Sequence, residues 1–185
     1  MQGQLAAIVE DYESAQRRLD SLVEGLTEEQ WSATVHPTRW SAAQCVEHLN
    51  LTSRAFIPPI REAIDKARTL GGKPPERYRF DFAGWMIWRA SGPKRGLGKL
   101  RTTAPFVPRG ELTRERVTEE FARLQKEQIE LVKSADGLPL GKVKIASPFN
   151  PKLHYNAYSA LSILPRHEHR HIQQAEHAVA AMRRG

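Results

Sequence analysis

The stretch LSILPRHEHRHIQQAE, residues 161–176, constrains this chain more than any other. Its pattern predicts one helix from near Tyr155 to about Met182, with His167 and His171 one turn apart on the same face. Taking about 100° per residue, Ala157, Ala160, Leu164, Ala175, Ala178 and Met182 fall within about 40° of His171. Two imidazoles therefore stand in a stripe that belongs in a core. Burying both without compensation is expensive, and ligation of one metal ion satisfies them together. On the same helix His169 lies about 160° away, an expected surface position, and Pro165 is an expected interruption.

Other segments read as helices of the same kind. Leu5, Ile8, Val9, Tyr12, Leu19 and Leu22 recur at helical spacing over residues 4–24, and Gly25 ends that run. Thr27 with Glu28 and Glu29 predicts a short helical turn reaching Trp31. Ser41 is a good N-cap for a second principal helix through AAQCVEHLNLTSRAF, with Trp40 ahead of it as a staple and Pro58 and Pro59 as its expected kink or stop. A weaker continuation, IREAIDKAR, ends at Gly71 and Gly72. Thr113 opens a long helix carrying Val117, Phe121, Leu124, Gln128 and Leu131 on one side.

Residues 71–112 form an irregular basic insertion, in which FDFAGWMIWRA is compatible with either a short helix or an apolar strand. The Gly- and Pro-containing run GLPLGKVKIASPFNP reads as a loop. Four principal helices, few strands and no internal repeat predict an all-α fold, a four-helix bundle, as one domain over residues 1–185.

A catalytic metal site of three protein ligands leaves one position open. The second principal helix offers His48, which shares its face with Gln44, Thr52 and Ala55 and so points inward as a third candidate ligand. His177 lies off the stripe, and His36 and His154 sit in or beside proline-punctuated loops. Cys45 reads as a small buried residue. His167, Glu168 and His171 also satisfy H-E-x-x-H, the pattern of zinc metalloproteases. The extended form of that motif needs Gly and His where this chain has Gln174 and Ala178, and a peptide-binding edge strand is missing from the pattern.

Charge is unevenly spread. The chain carries +7 overall, but Lys66–Arg109 holds eleven Lys/Arg against Glu76 and Asp81, which leaves the remainder slightly acidic. Aromatic residues Tyr78, Trp85 and Trp88 interleave with these cations, yet no helix-turn-helix, zinc-finger, RRM or KH signature accompanies them, so no specific nucleic-acid partner is expected. A role for Lys94, Arg95, Lys99 and Arg101 in holding an anionic small molecule is the expectation instead. The N-terminal stretch lacks the basic start and apolar run of a signal peptide, no span is long enough for a membrane, and Cys45 is the single cysteine; a cytoplasmic location is expected.

Trp40, Ser41, Glu47, His48 and Leu49, followed far downstream by His167, His171 and Gln174, resemble the DinB family of helical metal-binding proteins over nearly the whole chain. The resemblance implies a four-helix bundle with an open site of three histidines, mapping to His48, His167 and His171, with Gln174 in support. It implies a divalent metal, zinc first and nickel as the main alternative, since imidazole suits both. It also implies thiol S-transfer, in which a low-molecular-weight thiol attacks an electrophilic substrate, with metal-dependent hydrolysis or non-catalytic metal or ligand binding as alternatives. A homodimer is compatible with it. The basic insertion and Pro165 depart from the family pattern.

Overall fold

The computed structural model describes residues 1–34, 36, 38–93 and 102–183. Four long helices carry the fold: α1 (Gly3–Val23), α3 (Ala42–Leu70), α5 (Arg114–Ser134) and α6 (Ala157–Met182). Two short ones, α2 (Glu28–Ser32) and α4 (Phe82–Ser91), lie between them, and a two-stranded antiparallel hairpin, β1 (Lys144–Ser147) with β2 (Asn150–Asn156), precedes α6. The long helices pack as a ring, α3 against α5 and α6, and α1 against the same two. That arrangement is the expected four-helix bundle.

Local chemistry explains where the helices start. Ser41 and Gln44 close a reciprocal capping box on α3, and Thr27 with Gln30 does the same for α2. Asp81 caps α4 through the Gly84 amide and also accepts from the Asn156 amide, which ties the start of α4 to the start of α6. Asn156 in turn caps α6 through Ser159.

Three expectations change. Pro58 and Pro59 do not stop the second principal helix, because α3 runs unbroken through them. Pro58 is exposed and Pro59 partly so, and the carbonyls they leave without an intrahelical partner belong to the exposed Arg54 and the partly exposed Ala55. Beyond them Ile60, Ala63, Ile64 and Ala67 are all buried. Ile60 and Ile64 together contribute about 3–6 kcal/mol, comparable to the roughly 3 kcal/mol that each interior proline costs before hydration is counted. Pro165 is likewise accommodated within α6.

The loop after α5 contains the hairpin. Val143, Ile145 and Ser147 are buried while Lys142, Lys144 and Ala146 are exposed, so a two-residue alternation ran beneath the glycines and prolines. Within the basic insertion, Phe82–Ser91 resolves as helix α4. It rests on α6 and leaves Phe82, Trp85 and Met86 facing outward.

The apolar core is divided. One cluster joins Leu5, Tyr12, Phe56, Leu124 and Leu164, and a second joins Ala15, Leu49, Phe121 and Ile172. Between them, at the level of residues 48–53 of α3 and 167–171 of α6, lies a layer of buried polar side chains: His48, Thr52, Gln125, His167, Glu168 and His171. No described helix is long and apolar enough to cross a membrane.

Candidate metal centre

The bundle brings His48 of α3 against His167 and His171 of α6, and each of the three is at least nine-tenths buried. One ligand atom from each lies within 4.8 Å of the others. Ring centroids are 4.5 Å apart for His48–His171 and His167–His171, and 5.2 Å for His48–His167. Nε2 of His48 stands 3.1 Å from Nε2 of His167. Two nitrogens bound to one zinc at about 2.0–2.1 Å in tetrahedral geometry would be about 3.3 Å apart. The donor set and its spacing therefore fit a small divalent ion.

Protonation follows the same direction. Burial depresses the pKa of all three imidazoles, and in His167 and His171 neighbouring rings and the Arg170 guanidinium add to it. They are neutral near pH 7, the form in which imidazole donates a lone pair to a metal. His48 is oriented by its other nitrogen, since Nδ1 lies 2.8 Å from the carbonyl oxygen of Phe106, in a 3-10 turn over Ala104–Phe106. A proton on Nδ1 for that bond leaves the Nε2 lone pair facing His167. Nδ1 of His171 is buried with no hydrogen-bond partner.

Gln174 is exposed one turn beyond His171. Its amide lies near enough to favour the charged form of that ring against the general trend, although no hydrogen bond of ordinary geometry joins the two. Three aromatic side chains wall the cluster. Trp40 packs 5.0 Å from the His48 ring and 6.1 Å from that of His171, and Phe149 lies 5.8 Å from His167 and 4.6 Å from Phe106. Trp40, read from the sequence as a helix staple, is thus a wall of the site. Phe106 and Phe149 carried no signal there, because each is distant in sequence from the histidines it meets.

The carboxylates adjacent in sequence point elsewhere. Glu168, 2 % exposed, accepts from Nε2 of Gln125 at 2.8 Å and of Gln128 at 3.3 Å, both on α5. Burial pushes its pKa up to about 8. The glutamate of H-E-x-x-H is therefore held in the bundle interior by α5, away from a general-base position between the histidines. Glu47 accepts from Asn50 and pairs with Arg54, and lines a cleft of about 450 Å³ with Leu51, Ala104, Pro105, Val107 and Arg109.

The remaining candidates separate clearly. Cys45 is fully buried, its thiol pushed up to about 12 by burial, and lies outside the histidine group. His36, His154 and His177 are exposed. His169 departs from its expected exposure: it is half-buried against α1, with Nδ1 3.0 Å from Nη1 of Arg18 and Nε2 3.0 Å from the Asp11 carbonyl. The face opposite the site is covered by α1, so a polar residue there becomes an interhelical contact. Lys94, Arg95, Lys99 and Arg101 lie outside the described residues.

No curated protein and no solved structure matches the chain significantly. Residues 11–175 match the family model of the DinB superfamily, a span that takes in α3 and α5 whole, most of α1 and α6, and the three converging histidines. The chain belongs to the DinB superfamily.

Proposed function

We propose that this protein is a metal-dependent enzyme in which His48, His167 and His171 hold one divalent ion, zinc first and nickel as the alternative, and that it transfers a low-molecular-weight thiol to an electrophile. The observation that carries the metal assignment is the convergence of three buried, neutral imidazoles from two helices with one ligand atom of each within 4.8 Å of the others. A bound ion with an open position would supply a Lewis acid able to lower the pKa of a thiol. The chain's own residues do the rest. Phe106 fixes the tautomer and tilt of His48, while Trp40, Phe106 and Phe149 keep the surroundings apolar and restrict water.

Thiol chemistry is favoured over hydrolysis by the carboxylates. Water activation commonly uses a general base within hydrogen-bond reach, and Glu168 is committed to Gln125 and Gln128 while Glu47 is committed to Asn50 and Arg54. A thiol, already acidic, needs no such base.

Metal analysis of the purified protein should find about one divalent ion per chain. His48→Ala, His167→Ala and His171→Ala should each cut occupancy at least tenfold, and His169→Ala should leave it intact. The loaded protein should consume thiol in the presence of an electrophile panel, and the three histidine variants should not. Retention of metal by all three variants would refute the site. Full occupancy with no turnover of any thiol would refute the transferase and leave a binding bundle.

A further inference from the structure

Four arginines among the described residues are half-buried: Arg18, Arg114, Arg166 and Arg170. Two of them have a carboxylate. Arg18 holds Glu176 through Nε and Nη2 at 2.8–3.1 Å, and Arg114 reaches Glu28 at 3.9 Å and the Leu26 carbonyl. Arg166 and Arg170 have neither an ion pair nor a hydrogen bond among the described residues. Nε of Arg166 is fully buried with no acceptor among the described residues, and Arg170 is half-buried one turn along the same helix. A guanidinium N–H buried without an acceptor is costly, so Arg166 calls for a partner supplied from outside, and Arg170 is placed to share it.

Their placement says where that partner sits. Arg166 and Arg170 are one turn apart on α6, and each immediately precedes a histidine of the cluster. At about 100° per residue both lie on the same side of the His167–His171 line. Contacts of Arg166 mark that side as the one facing α4. Its guanidinium stacks 4.1 Å from the centroid of Trp88, and a side chain in place of Gly92 would meet it at 2.5–2.6 Å. The group is thus held in position between an aromatic ring and bare backbone. Arg170 directly precedes His171 in the chain and lies on the Arg166 side of α6. Stacking on Trp88 orients Arg166 but satisfies none of its N–H donors, and the fork geometry of a guanidinium suits a planar or tetrahedral oxyanion.

We propose that Arg166 and Arg170 form an oxyanion anchor beside the three-histidine cluster, so that the molecule bound there carries a carboxylate or phosphate. This rests on the reading of the cluster as the reactive centre and adds to it the chemical class of the ligand. The anchor is built from α6 itself, so the anion and two of the three histidines share one rigid element. Arg166 and Arg170 are positioning residues in this scheme, fixing the ligand on the α4 side of the histidines.

Calorimetric titration of the purified protein with succinate and, separately, with inorganic phosphate tests it, with metal per chain measured on every sample. Wild type should bind at least one probe, and the preferred one assigns the anion as carboxylate or phosphate. R166Q/R170Q should weaken binding at least tenfold with metal content unchanged. R166K/R170K, which keeps the charge and loses the fork, should fall between. If the double glutamine variant does not fold, R170Q alone decides, with at least a threefold weakening expected. Equal affinity in wild type and the glutamine variants overturns the anchor, and so does a wild type that binds neither probe. Anion binding that depends on the arginines in a protein that takes up no metal would leave the anchor standing and sink the metal reading instead.

Discussion

Two buried polar clusters meet α6 from different sides, and they differ in completeness. Toward α5 and α1, Glu168, Gln125, Gln128 and Tyr12 form a network in which Glu168 receives both glutamine amides, Gln125 also donates to the Tyr12 carbonyl, and Tyr12 donates to Gln128. Toward α3, His48, His167 and His171 face one another, and among the described residues only the Phe106 carbonyl and the close His48–His167 contact engage their nitrogens. The first network is closed by its own members apart from Gln125 Oε1, which has no partner among the described residues, and it holds helices in register. An unsatisfied one of equal burial is tolerated when something binds it. The contrast assigns architecture to the first cluster and chemistry to the second, although His167 and Glu168 are neighbours in the chain.

The sharpest way to break that comparison is to remove the centre of each cluster. Glu168→Ala leaves two buried amides without their acceptor and a cavity at the bundle axis, and should destabilise the protein by about 3 kcal/mol in urea unfolding. His171→Ala in metal-free protein should cost less than Glu168→Ala, because the cavity it leaves is partly offset by removing a ring with an unpaired buried nitrogen. If His171→Ala were the costlier of the two without metal, the histidines would be a structural cluster and the assignment would be reversed.

Much of this was legible in the sequence, for a definite reason. Helical phase alone placed His48, His167 and His171 on inward faces and His169 on the opposite one, because 3.6-residue periodicity is a property of the chain itself. The caps at Thr27 and Ser41 were equally local. What could not be read depended on neighbours. Phe106 and Phe149 reach the site from segments far along the chain, His169 is covered because α1 happens to pack there, and the unpaired state of Arg166 and Arg170 is visible only once every other carboxylate has found its place. Pro58 and Pro59 misled because a proline's effect depends on what the rest of the helix gains by continuing, and here Ile60, Ala63, Ile64 and Ala67 are buried beyond them. The hairpin was legible in its alternation of Val143, Ile145 and Ser147 but was masked by the prolines beside it.

The two clusters also predict opposite responses to pH, of intermediate size. Burial raises the Glu168 pKa to about 8 from an ordinary 4.5, so the folded state holds a proton that the unfolded chain releases. Its contribution is complete below about pH 4.5 and is lost as pH rises through 8. The histidines are depressed below 6.5, so their contribution is complete above 6.5 and is lost as pH falls. Between pH 6.5 and 8 only Glu168 acts, and metal-free wild type should lose about 1.5 kcal/mol across that interval. Glu168→Gln should abolish the slope there while keeping the decline below pH 6.5. A variant with the wild-type slope between 6.5 and 8 would show that the proton resides elsewhere.

The smallest effect is expected where charges are most numerous. Glu120 contacts Arg123 and Arg54 on the surface of the α3–α5 pair, and the hydrogen bond from Arg123, with help from Arg54, lowers its pKa to about 2. Its contribution is therefore present above about pH 4.5 and fades as pH falls toward 2. Arg54 and Arg123 are 42 % and 57 % exposed, so water and salt screen what the contacts gain. Glu120→Gln should cost less than about 1 kcal/mol at pH 7 and less still in 1 M salt. Glu168 makes fewer charged contacts than Glu120 and should matter about three times as much. Were Glu120→Gln to match Glu168→Ala, the number of charged contacts rather than the burial and completeness of the network would govern stability in this bundle, and the distinction between the two faces of α6 would lose its physical basis.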